Sequence, residues 1–152
     1  MDAYTLLNPK HAKTEPGIAA TDGQSLTTAD VCAGLSYAAL TPLQSAVLAY
    51  YGLHQNSARE ALHLALASVM PGLVPAGTSA DWVANVMITA IAETDHPITQ
   101  RPWSVRERAA YLGISKSTWQ RTGLHATVDR VILEIADAMD QAESKLNQAV
   151  RK

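Results

Sequence analysis

The sequence predicts an all-α protein, a multi-helix bundle that contains a helix-turn-helix and ends in a long C-terminal helix. Three observations carry this expectation. No run sustains the period-2 alternation of apolar and polar residues that marks a half-buried strand. Helix-start signals recur at Thr41, Ser57 and Ser104, each followed three residues on by Gln44, Glu60 or Glu107, the order in which side chain and backbone cap each other. Apolar residues then follow at spacings of three and four, the period of a helix face.

The chain has 152 residues, of which 47% are apolar and 17% charged, enough to bury a core. Residues 1–25 mix Pro9, Pro16, Gly17 and Gly23 with polar residues and read as a flexible N-terminal arm. Residues 26–152 read as a single helical domain. Within it, Thr28–Leu40 is expected to form a short helix ending before Pro42, because a residue preceding proline disfavours the helical region. Thr41 then caps a helix with Pro42 at its first position, and Gly52 is expected to stop it after Tyr51. Ser57 opens an Ala-rich helix through Leu62, Leu64, Leu66 and Val69. It is apolar nearly all round and is therefore expected to be central and buried, ending at Met70-Pro71-Gly72. After a Pro/Gly loop over residues 73–78, Ser79 or Thr78 caps a helix through Trp82, Val86, Ile88 and Ile91, which stops near Asp95-His96-Pro97. The C-terminal helix is expected over Thr127–Val150, with Val128, Val131, Ile135, Ala138 and Ala142 on one face. Its first half packs on the chain's own body, and the weaker stripe beyond Ala142 either protrudes or serves a homo-oligomer. Gly123 permits one bent helix or two over residues 118–150.

The most specific segment is Ser104–Thr122, read as the helix-turn-helix. Ser104 starts a first helix with Val105, Ala109 and Leu112 facing inward, and Ala109 provides the small side chain that two steeply crossing helices need. Gly113 supplies the left-handed conformation that ends a helix. Ile114 follows as an apolar contact, Ser115 caps the second helix, and Trp119 turns one face back to the core. Such a motif docks its second helix in the major groove of DNA. Lys116, Ser117, Gln120 and Arg121 are then the base-reading candidates, since Arg and Lys match the guanine edge and Gln the adenine edge. Ser115, Ser117, Thr118 and the helix N-terminus can hold phosphates, and Arg101, Arg106 and Arg108 flank the groove. Arg108 occupies a position where such motifs commonly carry an apolar residue. Its stem is expected to pack while its head reaches out.

Charge supports this placement. The net charge is −2, yet residues 100–121 carry five basic groups against Glu107 alone, whereas residues 1–99 carry eight acidic groups against three basic ones. The positive charge that phosphate neutralisation requires is thus local to the motif.

Other chemistry finds no foothold in the residues. Cys32 is the single cysteine, which rules out an intramolecular disulfide and a thiolate-rich zinc site and fits a reducing cytosol. The five histidines are scattered; Glu60 and His63 lie three apart on one helix but lack an evident third metal ligand. No phosphate loop, nucleophile elbow or paired-carboxylate arrangement occurs, so no enzyme, cofactor or metal is expected. Neither a signal peptide nor an apolar run of the roughly 20 residues needed to span a bilayer is present, and no membrane partner is expected. Trp82, Trp103 and Trp119 read as core rather than stacking platforms.

Two segments together carry a family resemblance. Leu40-Thr41-Pro42-Leu43-Gln44-Ser45-Ala46-Val47-Leu48-Ala49-Tyr50-Tyr51 looks like the helix that precedes a sigma-factor-type helix-turn-helix, and Ser104–Arg121 looks like the motif itself. The layout, with a helical insertion between them, resembles bacteriophage late-gene antitermination proteins of the Q type and related small phage regulators. The resemblance implies a protein of the bacterial host cytoplasm. Such a protein binds double-stranded DNA near a late promoter, loads onto RNA polymerase at a sigma-dependent pause, and makes it resistant to terminators. On that pattern Arg106 and Arg108 grip phosphates, while no motif marks the residues that touch polymerase or sigma factor. The rival readings are an oligomeric DNA-binding repressor or packaging protein, and an all-α protein-interaction module or inhibitor that docks an acidic partner through residues 100–121.

Overall fold

The computed structural model describes residues 38–95 and 101–151, and among them it contains six α-helices and no strand. These are α1 (Pro42–Val47), α2 (Arg59–Val69), α3 (Ala80–Asp95), α4 (Val105–Leu112), α5 (Lys116–Thr122) and α6 (His125–Val150). The all-α expectation holds. The arm over residues 1–25 and the helix expected at Thr28 lie outside the described residues, except that Ala38, Ala39 and Leu40 are not helical.

The described chain divides into two compact units, one gathering the residues up to Leu62 with those from Asp137 on, the other being His63–Ala136. In the first unit, α1 starts as its sequence dictates. Thr41 Oγ1 accepts from Gln44 N at 3.2 Å, Gln44 Oε1 accepts from Thr41 N at 3.1 Å, and Pro42 costs nothing where no intrahelical N–H bond exists. Gln44 is itself buried, and it also ties α1 to α6. Its Nε2 donates to Gln141 Oε1 at 2.8 Å and its Oε1 accepts from Lys145 Nζ at 2.8 Å. Beyond Val47 the chain widens into a π-helical turn, Leu48–Gly52, in which Leu53 N donates to Leu48 O at 2.9 Å. The expected glycine stop is therefore corrected. Gly52 lies buried inside the widened turn, and the left-handed residue that follows is His54, at φ 52°.

The second correction concerns α2. The expected capping box at Ser57 gives way to a 3-10 turn over Asn56–Ala58, and α2 begins at Arg59. Only one stripe of this helix is buried, Leu62, Ala65 and Leu66, continued by Met70; Leu64 is 67% exposed. Its abundance of alanine made the helix look apolar all round, but Ala61 and Ala67 lie on the exposed face. In the second unit, Ser79 caps α3 by accepting from Trp82 N at 3.3 Å, and Val86, Ala90 and Ile91 form its fully buried face.

α6 starts two residues earlier than expected and spans 26 residues, about 39 Å at 1.5 Å per residue. Gly123, at φ 67°, separates it from α5, so two helices form rather than one bent one. The stripe Val128, Val131, Ile135, Ala138, Ala142 and Leu146 is buried throughout. The face carrying Arg130, Asp137, Asp140 and Gln141 is exposed. Leu146 is wholly buried although its neighbourhood in sequence is polar. Leu146→Ala is expected to destabilise the protein by about 2–5 kcal/mol. Leu133→Ala, at a site 62% exposed, should stay within about 0.5 kcal/mol. Urea denaturation of the two variants checks the contrast.

Candidate nucleic-acid interface

α4 and α5 are two short helices joined by a tight turn, and local chemistry sets both ends of that turn. Ser104 Oγ accepts from Glu107 N at 3.2 Å and opens α4. At its end Gly113 adopts φ 69°, Ile114 N donates to Ala109 O at 3.0 Å and Gly113 N to Ala110 O at 3.1 Å. These are the paired bonds of a Schellman motif, which satisfy the last carbonyls and redirect the chain. Ser115 Oγ then accepts from Thr118 N at 3.1 Å and opens α5. Ala109 of α4 and Trp119 of α5 are both buried, and the Trp119 ring lies 6.2 Å from that of Trp82 in α3.

A buried ionic network in the same unit reaches α5 through His125. The Arg108 side chain is 0% exposed and its chief partner, Glu93, 6%. Its Nε donates to Glu93 Oε2 at 2.9 Å and its Nη2 to Glu93 Oε1 at 2.9 Å, a bidentate pair between α4 and α3. Nη2 also donates to Asp129 Oδ1 at 2.7 Å, and Nη1 to the His125 carbonyl at 2.9 Å, which brings in the first turn of α6. Glu93 Oε1 additionally accepts from Trp103 N at 2.7 Å, fixing the strand of chain that leads into α4. Burial opposes the charge on Arg108, but Glu93 and Asp129 outweigh it and raise the guanidinium above its ordinary value. The expectation that the Arg108 head reaches out to phosphate is thus overturned. The residue sits at an inward position with Val105, Ala109 and Leu112, and its charge is consumed inside.

His125 links this network to α5. The Trp119 indole N–H donates to His125 Nδ1 at 3.2 Å, which requires that nitrogen to be unprotonated, while Arg108 Nη1 lies 3.3 Å from the same atom. Burial, then the Arg108 charge, lower the affinity of the ring for a proton below the ordinary 6.5.

The remaining candidates sort by partner. Arg101 is exposed but pairs with Glu107 at 2.9 Å, and this bond, more than any other contact, holds the Glu107 carboxyl below its ordinary value. Glu107 turns to the Ser104 hydroxyl and to Arg101, so only the Ser104 half of the capping box forms. Ser115 is engaged as the cap and lies 2.7 Å from Thr118 Oγ1 and 3.2 Å from Ser117 Oγ. Arg106, Lys116, Ser117, Gln120 and Arg121 are exposed, and among the described residues the three cations make no ion pair. At about 100° per residue, Ser117 and Arg121 stand within about 20° of the direction opposite Trp119, with Thr118 and Gln120 about 80° to either side. The apparent charge of residues 100–121 therefore reduces to three open cations beside a hydroxyl- and amide-bearing face.

Glu93, His125 and Asp129 were not singled out by sequence. The one signal available was the inward register of Arg108, since a buried guanidinium demands carboxylates, though it does not say which ones. Comparison with known proteins adds no relative: no protein-family model matches the chain, and no curated protein or solved structure matches it significantly.

Two outcomes follow. Arg108→Ala strands the buried Glu93 carboxylate and is expected to cost about 3–5 kcal/mol, whereas Glu93→Leu combined with Arg108→Met should recover much of that loss; chemical denaturation of both variants measures it. For His125 the unfolded chain takes up a proton first as pH falls through 6.5. The stability this group contributes is full above that pH and is lost as pH falls toward the lower folded value. His125→Asn should remove this component from stability measured across that window.

Proposed function

We propose that the protein is a sequence-specific DNA-binding transcription regulator whose α5 enters the major groove. The observation that carries the reading is the outward face of α5. Ser117 and Arg121 stand opposite the buried Trp119 and Gln120 lies exposed to one side of them, with Lys116 and the Arg106 of α4 as open cations at the flank. Arg121 suits the O6/N7 edge of guanine and Gln120 the N6/N7 edge of adenine. Lys116 and Arg106 supply phosphate contacts, which set register without reading sequence. Arg101 can join them only by leaving Glu107. Arg108 takes no part in contact and serves by holding α4 and its surroundings in place.

The finer proposal is a phage-type antiterminator that acts on RNA polymerase near a sigma-dependent pause. It rests on the resemblance of residues 40–51 and 104–121 to late-gene antitermination proteins. The same three cations would also suit an acidic protein partner, the reading to adopt if no duplex binds at low salt.

Selection of bound duplexes from a random library tests the main reading. A defined site should emerge, and Arg121→Ala and Gln120→Ala should each lose about 1–3 kcal/mol on that site, with much smaller losses on random DNA. Arg106→Ala should weaken all duplexes alike. With Lys116 and Arg106 on phosphates the slope of log K against log salt is expected at about −1.8, from about 0.9 per neutralised phosphate, and Arg106→Ala should reduce it by about 0.9. A slope near −4.5 would mean that all five basic groups of the segment reach phosphate, contrary to the burial of Arg108. Equal losses on selected and random DNA for every α5 variant would overturn α5 as the reading element.

A further inference from the structure

We infer that a proton on His125 moves the recognition helix, because the ring nitrogen that the proton would occupy is the one that accepts the Trp119 indole N–H and so joins α5 to α6. Four elements face this ring. α3 brings Glu93, α4 brings Arg108, α5 brings Trp119, and α6 carries Asp129 one turn beyond His125 itself. With the ring neutral, Glu93, Arg108 and Asp129 leave one net negative charge among them. A proton on His125 cancels that charge, so the protonated state is a second balanced arrangement and not merely an excluded one.

The rearrangement is specific. Nδ1–H cannot accept, so the Trp119 N–H loses its partner in a place where the side chain is 0% exposed. A buried donor without an acceptor is costly, and Trp119 is the one buried residue of the seven-residue α5, so shifting α5 is the route to a new partner. The imidazolium also meets Arg108 Nη1, 3.3 Å away. Asp129, 46% exposed on its side chain, is free to swing from Arg108 to the imidazolium four residues behind it, while Glu93 keeps its two bonds to Arg108. The ring is only partly buried, so solvent protons reach it. Its lowered proton affinity agrees with a neutral resting state.

The consequence for DNA rests on the reading of α5 as the recognition helix. Only the neutral state presents Ser117, Gln120 and Arg121 in the docked orientation, so affinity for the selected site falls as pH falls, by at most about tenfold per pH unit for one linked proton. Generic electrostatics has the opposite sign, since acidification adds positive charge and strengthens DNA binding.

The test follows the Trp119 indole N–H and the backbone amides of Ser117 to Arg121 by NMR in the full chain, between about pH 8 and pH 5. Affinity for the selected duplex is measured by anisotropy on the same samples. Three chains are compared: the wild type; His125→Asn, whose Oδ1 can stand in for the accepting nitrogen; and Trp119→Phe, which keeps a ring but lacks the donor. In the wild type the indole and α5 amides should titrate together with the His125 ring protons, and site affinity should fall over the same range. His125→Asn should hold α5 in place with flat resonances and flat affinity. Wild-type α5 resonances that stay fixed while His125 titrates would overturn the inference, as would an α5 titration that persists in His125→Asn. If no duplex binds at any pH, the DNA reading fails by itself and the resonances still decide whether the proton moves α5. Should Trp119→Phe fail to fold, His125→Asn alone makes the decision.

Discussion

A guanidinium that has left water dictates the arrangement of the motif-bearing unit. Arg108 is buried without any exposure, and an isolated charge in that position would be prohibitively unfavourable. It is tolerable because two oxygens of Glu93, one of Asp129 and the carbonyl of His125 converge on it at hydrogen-bond distance. Those partners come from two stretches of chain, α3 and the start of α6, and each must be correctly placed for the other to be useful. Apolar packing between α4 and α5 would accept small rotations. A bidentate ion pair would not, because its two bonds fix both distance and angle. The network therefore adds geometric definition to α4 and, through His125, reaches the indole of Trp119 in α5.

What was legible in the sequence was what neighbours in sequence decide. Thr41, Ser104 and Ser115 cap the helices they precede, and Gly113 turns the chain, because each needs partners only three to five residues away. The inward face of α4 and the buried stripe of α6 were readable from spacing alone. The failures are of another kind. Ser57 has the residues of a capping box, yet the chain runs through a 3-10 turn there, and α2 starts only at Arg59. Leu64 belongs to an Ala-rich helix whose outer face could not be told from its inner one by hydrophobicity. Arg108 finds its partners 15 and 21 residues away, and no local pattern names them. The candidate site was thus legible as a surface and illegible as a mechanism of support.

The same network changes how the charge of the motif should be counted. A sum over residues 100–121 treats every arginine as available to an anion. In the folded chain one is neutralised inside by Glu93 and Asp129 and another is paired on the surface with Glu107. The field that an approaching phosphate meets comes from Arg106, Lys116 and Arg121. On the proposed DNA reading, attraction of this size leaves more of the binding free energy to base contacts, which favours discrimination over tight but indifferent attachment.

The reach of Glu93 to Asp129 also limits how the motif can be treated as a module. Residues 104–122 hold both helices, both caps and the turn, and by sequence they look portable. Cut out at those borders, the segment would retain the cation and leave behind both carboxylates, the carbonyl and the imidazole that receives Trp119. A graft into another scaffold would carry an unsatisfied charge into its new core. The smallest piece that is chemically closed runs from Glu93 through Asp129, so recombination or domain swapping that preserves the motif must exchange that longer stretch as one block.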